Sequence, residues 1–467
     1  MEIYSSELLW LVITGFFVSF ILAFGVGAND VSNAFGTSVG SGVLTFRQAC
    51  ILATIFETSG AVLLGYKVSD TIRKGIIDVK DYEGSETELA LGMLSALVGS
   101  ALWILLATYF KLPVSTTHSI VGSTVGFSLV ARGAVGLNYK VLGTIAASWF
   151  VSPITSGFTC VVILTIIRKC IMEARNPISA GLISLPIIYA LTVFLNVLTV
   201  TLNGSKLLGM ENLVLWQVFA ISIGAMIVVA IVCQLFVVPW QRKKILNKDD
   251  TAEPNLFRNS IRQSVDSIVT VATSTVSINA PVLQNPKIES DAKVNRLFHF
   301  LQILSAIFTS FAHGGSDVSN AIGPLIAIWM IYKDGSVLQK AESPILLLLY
   351  GAVGMCVGLW VLGKRVNDTV GHKLTKIRPT TGFSVEISAA MTVLLASKLG
   401  IPISSTHCIV GGIVASGWIY GRVEGNVEQT VDWSLFRSII YAWVITVPAA
   451  GSCSALLMLI FKYSLIS

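Results

Sequence analysis

Charge is scarce in this chain. Of its 467 residues only 12% are Asp, Glu, Lys or Arg, against 54% hydrophobic, and the mean hydropathy is +0.76, which excludes an ordinary soluble globular protein. The seven cysteines (50, 160, 170, 233, 356, 408 and 453) fall mainly inside apolar segments with no CxxC or other metal-ligand spacing, so neither a disulfide framework nor a cysteine metal site has a basis. There is no HExxH, no Walker A loop and no Ser-His-Asp signature, which leaves a membrane hydrolase or an ATP-driven pump without support. Transport by such a chain has to draw on an ion gradient. The net charge of +6 arises mostly in loops beside apolar spans, where basic residues orient membrane proteins, and argues for no nucleic-acid partner.

What the chain has in abundance is apolar length. Windows of about 20 residues, enough to cross a hydrocarbon core of roughly 30 Å, lie near 8–26, 47–66, 89–110, 115–131, 140–168, 182–202 and 213–240, and then near 300–331, 343–363, 383–399, 404–420 and 436–462. The expected fold is therefore an all-α polytopic membrane protein of about 12 transmembrane helices. The first window carries Glu2 and Glu7 instead of a basic leader and reads as a retained span. Residues 241–296 open on Gln241-Arg242-Lys243-Lys244 and continue rich in Ser, Asn, Asp and Thr, predicting a largely disordered cytoplasmic loop. It separates an N-terminal membrane half (1–240) from a C-terminal one (297–467). The same sidedness puts Arg168, Lys169 and Arg175 inside, and the glycosylation pattern Asn203-Gly204-Ser205 outside.

Two polar motifs interrupt the spans, and each occurs twice. GANDVSNAFGTSVGSGVLT (27–45) is answered by GGSDVSNAIG (314–323), so that Asp317 and Asn320 repeat Asp30 and Asn33 at an offset of 287. A carboxylate near the bilayer centre costs on the order of 3 kcal/mol on the insertion scale, so it marks a functional site. Pro113-Val114-Ser115-Thr116-Thr117-His118 is answered by Pro402-Ile403-Ser404-Ser405-Thr406-His407 at an offset of 289. A single hydroxyl run reads as helix back-bonding or packing; duplication in step with a carboxylate motif points instead to a site. The two repeats are expected to be inverted, because the Asp motifs sit seven crossings apart. The matched loops Lys67–Glu88 and Lys364–Arg378 also carry opposite charge balance, four basic and six acidic residues against five basic and one acidic. Both termini then lie outside.

The chemistry follows from residue type. Proline opening each hydroxyl run suits a helix N-terminus within the membrane, where unpaired N–H groups, the helix dipole and successive hydroxyls favour an oxyanion. Two such broken or re-entrant helices, related by inversion, can meet at the midplane. Asp and Asn three apart share one helical face and offer carboxylate and amide oxygens to a hard cation, with Gly25, Gly27, Gly36, Gly40 and Gly42 expected to permit unwinding. Glu57 and Glu386 also interrupt spans and are candidate cation ligands, proton carriers or buried partners of hydroxyls. His118 and His407 read as neutral imidazoles bonded to carbonyls, and Asp70 and Asp368 as loop or capping residues.

These motifs, GANDVSNAFGTSVGSGVLT, PVSTTHSIVG, GGSDVSNAIGPL and PISSTHCIVGG, closely resemble those of the PiT family of inorganic phosphate transporters, most strongly its sodium-coupled animal members. The resemblance implies sodium-driven uptake of phosphate across the plasma membrane by a twelve-span inverted-repeat protein, and a homodimer. Carried over by motif, Ser115, Thr116, Thr117, Ser404, Ser405 and Thr406 would contact phosphate. Asp30, Asn33, Asp317 and Asn320, with Asn29 and Ser316 beside them, would form the sodium and coupling centre, and Glu57 and Glu386 would be carboxylates needed for transport. Sodium and phosphate are then cargo, with no cofactor and no enzymatic activity. One departure stands out: the family's second motif usually has Asn where this chain has Ser316, a shorter side chain that loses the amide. The alternatives are a proton-coupled phosphate symporter, and a channel or membrane receptor whose motifs only pack.

Overall fold

A computed structural model describes residues 3–30, 32–202, 204, 208–246, 286–423 and 431–466. The Asn203 sequon and most of the central loop lie outside them. The described residues are overwhelmingly helical and form no β-strand. Among the described residues eleven helices are long and apolar enough to cross a membrane, from Ser6–Gly40 to Trp433–Leu465. They match eleven of the twelve expected windows. The twelfth, near 404–420, is also a helix, Ser405–Val423, but is not among the eleven. The residues at the edges of the central loop are helical: Val238–Leu246 closes the first half, and Pro286–His313 begins well before residue 300.

Local chemistry sets the helix ends. Phe46–Lys74 starts with a capping box in which Thr45 and Gln48 satisfy each other's backbone N–H groups. It ends on Arg73, fully buried, whose guanidinium donates to Gln339 O and Ala341 O at 2.8 Å and pairs with Asp70 at 2.9 Å. Asp70 thus stands on the last helical turns and not in a loop. The core lies between the helices that carry the motifs, whereas Ile13, Phe17, Phe150 and Phe158 point outward, each 61% exposed or more, as expected of a surface solvated by lipid.

Close helix approach around the motifs needs glycine. A Cβ on Gly60 would fall 1.9 Å from the Phe311 carbonyl oxygen, and one on Gly314 2.0 Å from that of Glu57, so Phe46–Lys74 lies backbone to backbone against the Asp317 segment. Unwinding around the two acidic motifs, expected from their glycines, is met only in part. Ser6–Asp30 and Ser32–Gly40 are both α-helical; around Asp317 the departure is a single π-turn, Gly314–Val318, between Pro286–His313 and Ser319–Asp334. Such turns concentrate at functional sites because the widened turn re-aims its side chains.

Candidate functional site: two acidic motifs against two hydroxyl helices

The hydroxyl runs behave as their prolines suggest. Residues 112–115 and 401–404 are non-helical, Ser115 caps Thr116–Arg132 by accepting from His118 N–H at 3.3 Å, and Ser404 does the same for Ser405–Val423 from His407 N–H at 3.2 Å. The two helix starts face each other and exchange bonds. Thr117 Oγ1 donates to Ile403 O at 2.8 Å, and Thr406 Oγ1 lies 3.3 Å from Val114 O.

Each acidic motif is bonded to this junction in the same way. Asp30 accepts through Oδ2 from Thr116 and through Oδ1 from Asn33 Nδ2 at 3.3 Å, with Thr406 Oγ1 also 3.3 Å from Oδ1. Asp317 accepts through Oδ2 from Ser405 at 2.8 Å and through Oδ1 from Asn320 at 3.1 Å. The two asparagines then cross to the other repeat, Asn33 Nδ2 donating to Thr406 Oγ1 at 2.8 Å and Asn320 Nδ2 to Thr117 Oγ1 at 2.9 Å. Asp30, Asn33, Asp317 and Asn320 are each at most 1% exposed, and ligand atoms of Asp30, His313 and Asp317 lie within 4.8 Å of one another. Both amide oxygens, Asn33 Oδ1 and Asn320 Oδ1, are buried without a hydrogen-bond partner. A buried carbonyl oxygen normally has one. A matched pair left open beside two carboxylates is a donor set for a hard cation.

With this arrangement established, the comparison with known proteins is direct. Residues 26–454 match the phosphate transporter family. The chain belongs to that family. It is 37% identical to sodium-dependent phosphate transporter 2 of Cricetulus griseus over 98% of this chain and 99% of that one, and 37% identical to the Homo sapiens protein of the same name over 99% of each. Sodium-dependent phosphate transporter 1-A of Danio rerio is 37% identical over 98% of this chain and 96% of that one. A solved structure described as the sodium-dependent phosphate transporter superposes with a TM-score of 0.80 at 35% identity, covering 98% of this chain and 100% of the other.

Within this family member the remaining candidate residues separate by surroundings. Asn29 bonds away from the two carboxylates: its amide donates to Thr108 Oγ1 and Leu112 O, each at 3.0 Å, and its oxygen accepts from Val114 N–H at 3.1 Å, fixing the loop ahead of Ser115. Ser316 has the matching place in the second repeat, and its buried Oγ has no partner. Glu386 accepts through Oε1 from Thr37 at 2.5 Å, Ser38 at 2.6 Å and Gln302 at 3.2 Å and through Oε2 from Ser305 at 2.5 Å, so both carboxylate oxygens face neutral donors. Glu57 instead lies 3.2 Å from His313 Nδ1, with its second oxygen unpartnered.

His313 is the residue that sequence reasoning missed. Its Nε2 lies 3.2 Å from Asp317 Oδ2, one helical turn along, so it bridges Asp317 and Glu57. The spacing His-x-x-x-Asp carried that signal. His118 and His407, in the first turns of the hydroxyl helices, pack together: their rings are 4.5 Å apart, and each stacks on a tryptophan, Trp149 at 3.9 Å and Trp443 at 3.8 Å. His407 Nδ1 lies 3.0 Å from Trp149 O, the carbonyl bond expected of it; His118 Nδ1 has no partner.

Proposed function

We propose that this chain is a sodium-coupled symporter of inorganic phosphate working by alternating access. The observation that carries the reading is the pair of unpartnered amide oxygens, Asn33 Oδ1 and Asn320 Oδ1, on side chains bonded to Asp30 and Asp317 and to the hydroxyl helix starts. Phosphate carries one to two negative charges at neutral pH, and neither motif pair contains a Lys or Arg to offset them. Sodium held by the carboxylates and amide oxygens supplies that charge in a low-dielectric site. The hydrogen bonds also suggest how the two cargoes are linked. Hydroxyls of Thr116 and Ser405 donate to the same carboxylates that sodium would engage. A cation on the carboxylates competes with those donors and turns the hydroxyls, together with the capped N–H groups, toward the anion.

In this reading Ser115, Thr116, Thr117, Ser404, Ser405 and Thr406 contact phosphate, and Asp30, Asn33, Asp317 and Asn320 bind sodium, while Asn29 holds the loop behind the first hydroxyl helix and Ser316, at the matching place, makes no such tie. The fold has twelve crossings, with one of two inverted repeats contained in each membrane half (1–240 and 297–467) about a cytoplasmic loop, both termini face outward, and the protein works in the plasma membrane. In this reading the protein works as a homodimer, the state that the family resemblance implies. Uptake of labelled phosphate by purified protein in liposomes, with sodium and proton gradients imposed separately, tests the function. Uptake that ignores the sodium gradient would sink it.

One observation favours a second reading. His313 between Glu57 and Asp317 is a titratable group at the centre itself, as proton coupling would require. Varying pH at fixed sodium, and sodium at fixed pH, separates the two, since a proton-coupled carrier concentrates phosphate under a pH gradient alone.

A further inference from the structure

The loop that leads into the first hydroxyl helix contains a strained lysine. Lys111 has φ +60°, and among the described residues only Tyr4 and Gln339 are other non-glycine residues in the left-handed region. The register that pairs Ser115 with Ser404 pairs Lys111 with Gly400, whose φ is +68°. Both repeats therefore build the same turn, one with the residue that adopts it freely and one with a residue whose Cβ is crowded there. The backbone contact at this point does not account for lysine. Thr369 Oγ1 donates to the Lys111 carbonyl at 3.3 Å, a bond that glycine would make equally well. What the lysine adds is its side chain, and that side chain lines a cavity.

The cavity is an open cleft of about 640 Å³ lined by Tyr109, Lys111, Lys364, Arg365, Asp368 and Lys373. Four cations face one carboxylate. The corresponding cavity of the other repeat, about 370 Å³ beside Gly400, is lined by Lys67 and Lys398 against Asp70 and Glu342, and Asp70 is already paired with Arg73 and Lys74. One mouth is strongly cationic and its counterpart is balanced. Lys111 lies four residues before Ser115, so the cationic mouth adjoins the first hydroxyl helix.

We propose that this cavity is a second anion site, separate from the buried centre, that binds a phosphate group through Lys111, Lys364, Arg365 and Lys373 and raises the local concentration of oxyanion at that mouth. Clustered cations in a cleft focus field lines in this way, and an exposed cluster holds its anion weakly and loses it as salt rises. The phosphate group is either free inorganic phosphate or the headgroup of a phosphorylated lipid at the membrane surface. The site rests on the phosphate reading for its ligand and needs neither sodium nor Asp30, which makes it separately testable.

The test titrates inorganic phosphate into the full chain in neutral phosphatidylcholine nanodiscs, in sodium-free choline buffer, and follows phosphorus NMR line broadening. Wild type is expected to bind weakly, with affinity falling about tenfold between low and high salt. Lys111→Gly is expected to weaken binding about tenfold and yet melt at a higher temperature, because it relieves the left-handed strain. Lys111→Arg should keep the binding, and Asp30→Asn should leave it unchanged. In discs containing a phosphorylated inositol lipid, loss of the phosphate signal assigns the cradle to the headgroup as well; a Lys111-dependent lipid effect without free-phosphate binding assigns it to the headgroup alone. Equal behaviour of wild type and Lys111→Gly in both kinds of disc overturns the proposal. So does abolition of the sodium-free signal by Asp30→Asn, which would return that signal to the buried centre.

Discussion

At the scale of single residues the centre is defined by what surrounds Asp30. Its carboxylate is held by hydroxyls and an amide and by no Lys or Arg, so its charge is available to a cation. Asp30→Asn keeps the size and removes that charge. The expected outcome is protein at normal abundance in the membrane with phosphate uptake reduced about a hundredfold, the scale of losing a charged partner worth about 3 kcal/mol; normal uptake would contradict the assigned role. Asn33→Ala and Asn320→Ala remove the open amide oxygens and should raise the sodium concentration for half-maximal uptake more than the phosphate KM. Ser316 gives a different expectation. In the first repeat Asn29 ties Thr108, Leu112 and Val114 together, whereas in the second Ser316 Oγ and Ser397 Oγ, at the positions matching Asn29 and Thr108, are both buried without partners. Ser316→Asn should restore the tie and stabilise the protein by about 1 kcal/mol, the usual net value of a hydrogen bond, read as a higher melting temperature in detergent. A lower one would show that the second repeat has repacked around serine.

At the scale of elements, the helix starts at Ser115 and Ser404 were legible, because proline followed by hydroxyls is a local signal that needs no tertiary contact. Most helix limits were legible for the same reason. The π-turn at Gly314–Val318 was not, since it depends on Phe46–Lys74 packing against it through Gly60 and Gly314. The surroundings of Glu386 were hidden for another reason: Thr37, Ser38, Gln302 and Ser305 reach it from positions far along the chain that no spacing rule connects. The π-turn contact makes a clear test. In Gly60→Ala the added Cβ meets the Phe311 carbonyl oxygen at 1.9 Å, and backbone cannot swing aside as a side chain can. A destabilisation of about 3 kcal/mol is expected, seen as loss of folded protein, with Gly314→Ala behaving alike. Normal yield and melting of both would mean that the helices do not approach so closely.

At the scale of the whole molecule, the repeats exchange bonds reciprocally: Thr117 reaches the Ile403 carbonyl while Thr406 approaches that of Val114, and Asn33 and Asn320 each donate to the other repeat's threonine. The doubled motifs announced that correspondence in the sequence, but not His313 or Glu386, which break it. If the repeats are inverted, their matched loops face opposite sides. Single cysteines at 67 and 365, in a chain whose native cysteines have been replaced, should react with a membrane-impermeant thiol reagent from opposite faces of intact vesicles; labelling from one face would refute the inversion.

The most direct test of the central claim, that one buried centre binds sodium and phosphate together, is phosphate uptake by the purified protein in liposomes under an imposed sodium gradient. The expected result is uphill, saturable accumulation that collapses when sodium is equal on both sides and is absent in Asp30→Asn. Accumulation that persists without the gradient, or that survives in Asp30→Asn, would contradict it.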